Sequence, residues 1–83
     1  MTSIPSPDRL RDILVEILTG ATKKPADHWR KAVGPVEKLP VATNVRSNWR
    51  ITPKGNRTDV ATIERAAAIV REAHPYVAGG EEL

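Results

Sequence analysis

Residues 45 to 59, Val-Arg-Ser-Asn-Trp-Arg-Ile-Thr-Pro-Lys-Gly-Asn-Arg-Thr-Asp, constrain the fold more than any other stretch of this chain. Their pattern changes once, and it changes at a turn. Val45, Ser47, Trp49 and Ile51 fall on one side of an alternating run, with Arg46, Asn48 and Arg50 on the other. A period of two is that of a half-buried strand. Pro53-Lys54-Gly55-Asn56 then has the composition of a turn. Thr58 is the expected N-cap of a following helix, with Asp59 in its first turn.

A strand has backbone N–H and C=O groups that need partners. The nearest candidate is the segment 36–41, where Val36, Leu39 and Val41 fit an extended run turned at Ala42-Thr43-Asn44, and where Pro40 suits an edge. The same strand of a second copy is the other candidate. The two segments 36–41 and 45–51 are therefore expected to form a short β-hairpin or extended pair.

Three helices frame it. Ser6-Pro7-Asp8 combines an N-cap residue, a proline suited to the first helical position and an acid at the positive end of the dipole. Leu10, Ile13, Leu14, Ile17 and Leu18 follow with helical spacing, and Gly20 is the expected stop, giving a helix over about 8–19. Asp8, Asp12 and Glu16 form an acidic row on it, read as solvated rather than as facing the basic middle of the chain. Pro25 opens a second helix to Val33, which Gly34-Pro35 ends, with Trp29 and Val33 inward and Arg30 and Lys31 outward. The third helix, about 59–73, has Ile63, Ala66, Ala67, Val70 and Ala73 on its inner face, small enough for close packing against the first. Pro75 ends it, and Tyr76 and Val77 are placed to fold back as a clasp. The fold class is thus α+β, one small domain over 7–77, with a flexible lead-in at 1–6 and a frayed tail at 78–83. The alternative is an all-α three-helix domain, which the strand-like 45–51 run argues against.

Composition bounds the functions open to this domain. Leu, Ile and Val number 19 of 83 residues and Phe is absent, so the two Trp and one Tyr carry much of the core. A core this small often gains from self-association, which makes a homodimer an expectation. Cysteine is absent, which removes disulfides, thiol chemistry and cysteine-ligated zinc. The start lacks the basic and apolar regions of a signal peptide, and the longest apolar run, Ala66 to Val70, is too short to span a bilayer. The expected location is the cytoplasm, with no membrane contact. His28 and His74 have no partner spacing for catalysis, and no ligand cluster suggests a metal. The expectation is no enzyme, no metal and no cofactor.

Charge points elsewhere. Residues 23 to 57 hold nine basic residues against Asp27 and Glu37, a balance of +7, between mildly acidic ends. Such asymmetry suits an anionic partner, nucleic acid or an acidic protein. Arg46, Asn48 and Arg50 are expected to project from the outer face of the strand, Lys54 and Arg57 from the turn, with Thr58 and the start of the third helix beside them. A helix N-terminus flanked by cations favours phosphate. Lys23, Lys24, Arg30 and Lys31 form a secondary basic patch. Two places are open for Trp49. Alternation with Val45 and Ile51 favours the core; exposed between Arg46 and Arg50, it would instead be the anchor of a protein–protein adaptor.

Overall fold

A computed structural model describes residues 4–40, 42–43 and 46–78. The elements run α1 (Pro7–Ala21), α2 (Ala26–Val33), β1 (Glu37–Lys38), β2 (Trp49–Arg50) and α3 (Arg57–Ala73). The α+β reading holds: three helices and one two-stranded antiparallel sheet. Val45, Val41 and Asn44 of the expected hairpin, residues 1–3 of the expected lead-in and residues 79–83 of the expected tail lie outside the described residues.

α1 begins as its sequence dictates. The Ser6 hydroxyl accepts the Arg9 N–H at 3.1 Å, Pro7 occupies the first turn and Asp8 follows. Its end differs from expectation. Gly20 lies inside the helix, which runs to Ala21 and is closed by Thr22. Thr22 turns to extended backbone and returns both its N–H (3.0 Å) and its hydroxyl (2.7 Å) to the Leu18 carbonyl. That hydroxyl also accepts the Trp29 indole N–H at 2.8 Å. One side chain thereby stops α1 and fixes the ring that opens the core face of α2.

The buried stripe of α1 is Leu10, Leu14, Val15 and Leu18, with Ile13 packed beside it. Ile17, expected inside, is 36 % exposed. The stripe is turned toward Val15 because α2 lies on that side. Asp12, Val15, Glu16 and Thr19 face Ala26 and Arg30 across one hollow, and Arg30 Nη1 reaches Asp12 Oδ1 at 2.9 Å. The acidic row is therefore not simply solvated, since its central member meets the basic segment. α3 covers the other flank of α1 with Ile63, Ala66, Ala67 and Val70 buried, the small residues permitting close approach, while Ala73 at the end of the helix is exposed.

The hairpin is shorter than the expected 36–41 and 45–51. Its register pairs Glu37 with Arg50 and Lys38 with Trp49, and the Leu39 N–H adds a bond to the Asn48 carbonyl at 2.7 Å. Two features end the ladder there. Pro40 has no N–H to offer, and Asn48 directs its own N–H to the Pro75 carbonyl at 3.1 Å. The segment after α3 thus runs beside β2. Its Val77 is buried, as the clasp requires, and Tyr76 is half-buried. The Ala78 N–H continues to the Pro5 carbonyl at 2.8 Å.

Candidate anion-binding face

Asn48 was expected to point outward and meet a ligand. It is 2 % exposed. Its side-chain amide donates to the Val77 carbonyl at 3.1 Å while its oxygen accepts the Val77 N–H at 2.6 Å. A primary amide satisfies a backbone N–H and C=O at once, which is why a polar residue interrupts the strand's alternation inside the core. Trp49 is also core, 1 % exposed. Its indole N–H donates to the His74 carbonyl at 2.8 Å, and the Arg71 guanidinium lies over its ring, 4.2 Å from the centroid.

The helix start is also corrected. Asn56, not Thr58, is the N-cap of α3, its side chain accepting the Asp59 N–H at 2.8 Å. Arg57 is then the first helical residue and Thr58 the second. Gly55 precedes the cap with φ of 124°, a backbone region that L side chains rarely adopt. The shift moves Asp59 from the first to the third helical position, where its side chain is 4 % exposed.

Asp59 is the residue around which the face is built. Lys24 Nζ reaches Oδ1 at 2.6 Å and His28 Nε2 reaches Oδ2 at 2.9 Å. The Lys24 hydrogen bond does most to hold this carboxyl below its ordinary value of 3.8, burial opposes it, and the His28 bond and the charges of both partners add to the lowering. The two partners are themselves placed by Trp29. Lys24 Nζ lies 5.5 Å from its ring centroid, and the His28 ring packs against it in a T-shaped pair with centroids 4.9 Å apart. The start of α2 is thus clamped to the start of α3.

A backbone bond closes the arrangement at the other end of α2. The Lys54 N–H donates to the Ala32 carbonyl at 2.8 Å, which seats the 53–56 turn on the last turn of the helix. Lys31 and Lys54, far apart in sequence, consequently line the same two adjoining hollows. One, of about 250 Å³, is bounded by His28, Ala32, Gly55 and Asp59 as well. The other, of about 580 Å³, continues over Gly34, Pro35, Val36, Glu37 and Thr52. Together they form a groove with two lysines at its middle.

The expected site residues divide accordingly. Lys54 of the main set and Lys31 of the secondary patch come together. Arg46, Arg57 and Thr58 are exposed, as is Lys23. Three cations are engaged by acids of the same chain: Lys24 by Asp59, Arg30 by Asp12, and Arg50 by Glu37 across the hairpin at 2.7 Å. His28 and Asp59 escaped the sequence reading as a pair. Their one visible signal is that Lys24, just before α2, and His28 and Lys31 within it recur at i, i+4 and i+7. Among the described residues, no three of His, Asp and Glu gather as metal ligands, and no helix is long and apolar enough to cross a membrane. Comparison with family models, with curated proteins and with solved structures finds no match.

Proposed function

We propose that this chain is a small, non-enzymatic cytoplasmic module that binds nucleic acid through its phosphates, using a basic face made by α2, the 53–56 turn and the start of α3. The observation that carries this reading is the convergence of Lys31 and Lys54 on one groove, held by the Lys54-to-Ala32 backbone bond. Asp59 shares that groove, but Lys24 and His28 occupy both its oxygens, so it does not oppose an incoming phosphate. Arg57 and Arg46 are further exposed cations outside the groove.

A histidine beside a carboxylate is also an ingredient of general-base chemistry. Here the pair reads as a clamp: the carboxylate is shared with Lys24, and among the described residues no Ser or Thr hydroxyl bonds to the His28 ring. The adaptor reading depended on Trp49 as an exposed anchor, and the buried ring withdraws that support. The test is a titration with duplex DNA and with heparin at about 50 mM salt, where phosphate binding by a basic surface is strong. Binding that weakens steeply with added salt is the expected result; no binding to either polyanion overturns the proposal.

A further inference from the structure

We infer that the Lys31–Lys54 groove engages the paired backbone of duplex DNA and not an unstacked single strand. The inference rests on the nucleic-acid reading above and asks which form of nucleic acid the face accepts. Proteins that hold single strands combine a cationic track with aromatic rings on which the bases stack. This chain has no Phe, two Trp and one Tyr. Both Trp rings are in the core, each with its indole N–H already donated, one to Thr22 and one to the His74 carbonyl. Arg71 covers a face of Trp49, and Trp29 and His28 meet in a T-shaped pair. Tyr76 is half-buried in the segment after α3, which packs on β2 and not on the groove. Among the described residues, His28 is the one aromatic ring that borders the two lysines, and it is taken up by its Asp59 contact and its T-shaped packing with Trp29.

What the groove does offer suits a rigid backbone of closely spaced phosphates. Its cations come from two elements locked to each other through the Lys54 N–H, so the backbone that carries them is set before the ligand arrives. Gly34 and Gly55 line its two halves without side chains, which leaves the approach to the lysines low. DNA is preferred to an RNA duplex because readers of duplex RNA contact 2′-hydroxyls in addition to phosphates, whereas the two lysines are point charges suited to phosphates and the carboxylates of the lining are engaged within the chain, Asp59 by Lys24 and His28 and Glu37 by Arg50.

The experiment compares the full chain on a DNA duplex, its component single strand and an RNA duplex of the same length, by fluorescence anisotropy over a salt series. The DNA duplex is expected to bind about tenfold more tightly than the single strand. Replacing both lysines (K31E/K54E) should weaken duplex binding about tenfold or more and flatten the salt slope by about 1.8, two phosphate contacts' worth. K31Q/K54Q should move both readings in the same direction. R9E/R65E changes the net charge equally on exposed residues that do not line the groove, and should lose less than about threefold. A single strand or RNA duplex bound as tightly as the DNA duplex overturns the inference but leaves the basic face standing. A control that loses as much as K31E/K54E overturns the groove as the site. No binding to any of the three removes the inference together with the reading beneath it.

Discussion

Asp59 ties the start of α3 to the start of α2, and its protonation state is the handle by which that tie is measured. Its carboxylate is buried and held by Lys24 and His28, so the folded protein binds a proton there less readily than the unfolded chain does. A carboxyl whose folded pKa is lowered contributes stability that is fully present above the unfolded value and is lost as pH falls through the folded one. The window therefore opens near the ordinary value of 3.8 and extends below it, toward the lowered folded value. Denaturant midpoints followed from about pH 5 downward should fall for the wild-type chain. Other carboxylates titrate over the same range, so the comparison that matters is with Asp59→Asn. That variant should be less stable near neutrality, and its midpoint should fall less steeply below the window's upper edge. Parallel pH profiles for the two proteins would show that the clamp adds no net stability.

At the scale of elements, the start of α3 decides where the cations point. Asn56 caps the helix through the Asp59 N–H, while Thr58 lies inside it and offers only its carbonyl, to Thr62 Oγ1 at 2.9 Å. Asn56→Ala should cost about 0.5–2 kcal/mol in a urea melt. Thr58→Ala should stay within about 0.5 kcal/mol of wild type, and the reverse ranking would restore Thr58 as the cap. Both residues are good caps by type, and the chain alone does not rank them. What separates them is Asp59, which fits three residues after the cap only if Asn56 is chosen. Signals that act within one turn were legible: Ser6-Pro7-Asp8, the leucine spacing of α1, Gly34-Pro35 and Pro75 each place an element. The hairpin was legible too, because alternation and a nearby extended segment leave few ways to pair. Asn48 was not, since its amide is satisfied by Val77, 29 residues on, and a polar residue in an alternating run otherwise belongs outside. The Lys24–Asp59 and His28–Asp59 contacts span 35 and 31 residues and have no local signature at all. Sequence-local reasoning found the cations but could not tell which of them the chain uses on itself.

For the whole molecule that distinction sets how strongly it can respond to salt. Of the nine basic residues between 23 and 57, Lys24, Arg30 and Arg50 sit in ion pairs, and Lys38 has a contact of its own. Lys23, Lys31, Arg46, Lys54 and Arg57 have no acidic partner among the described residues. The long axis is 38 Å, close to one turn of duplex at roughly 34–36 Å, so one molecule meets about one turn of backbone. Four phosphate contacts correspond to a slope of log K against log salt of about −3.6, and five to about −4.5. The measured slope on duplex DNA should fall between these values. Nine engaged cations would give about −8, which requires Asp12, Glu37 and Asp59 to surrender their partners on binding. The two cases differ in mechanism as well as in number. Opening the pairs would remove the Arg30–Asp12 contact between α2 and α1, the Arg50–Glu37 link across the hairpin and the Lys24–Asp59 half of the clamp beside the groove. A shallow slope therefore goes with a preformed face, and a steep one with a fold that rearranges on its ligand.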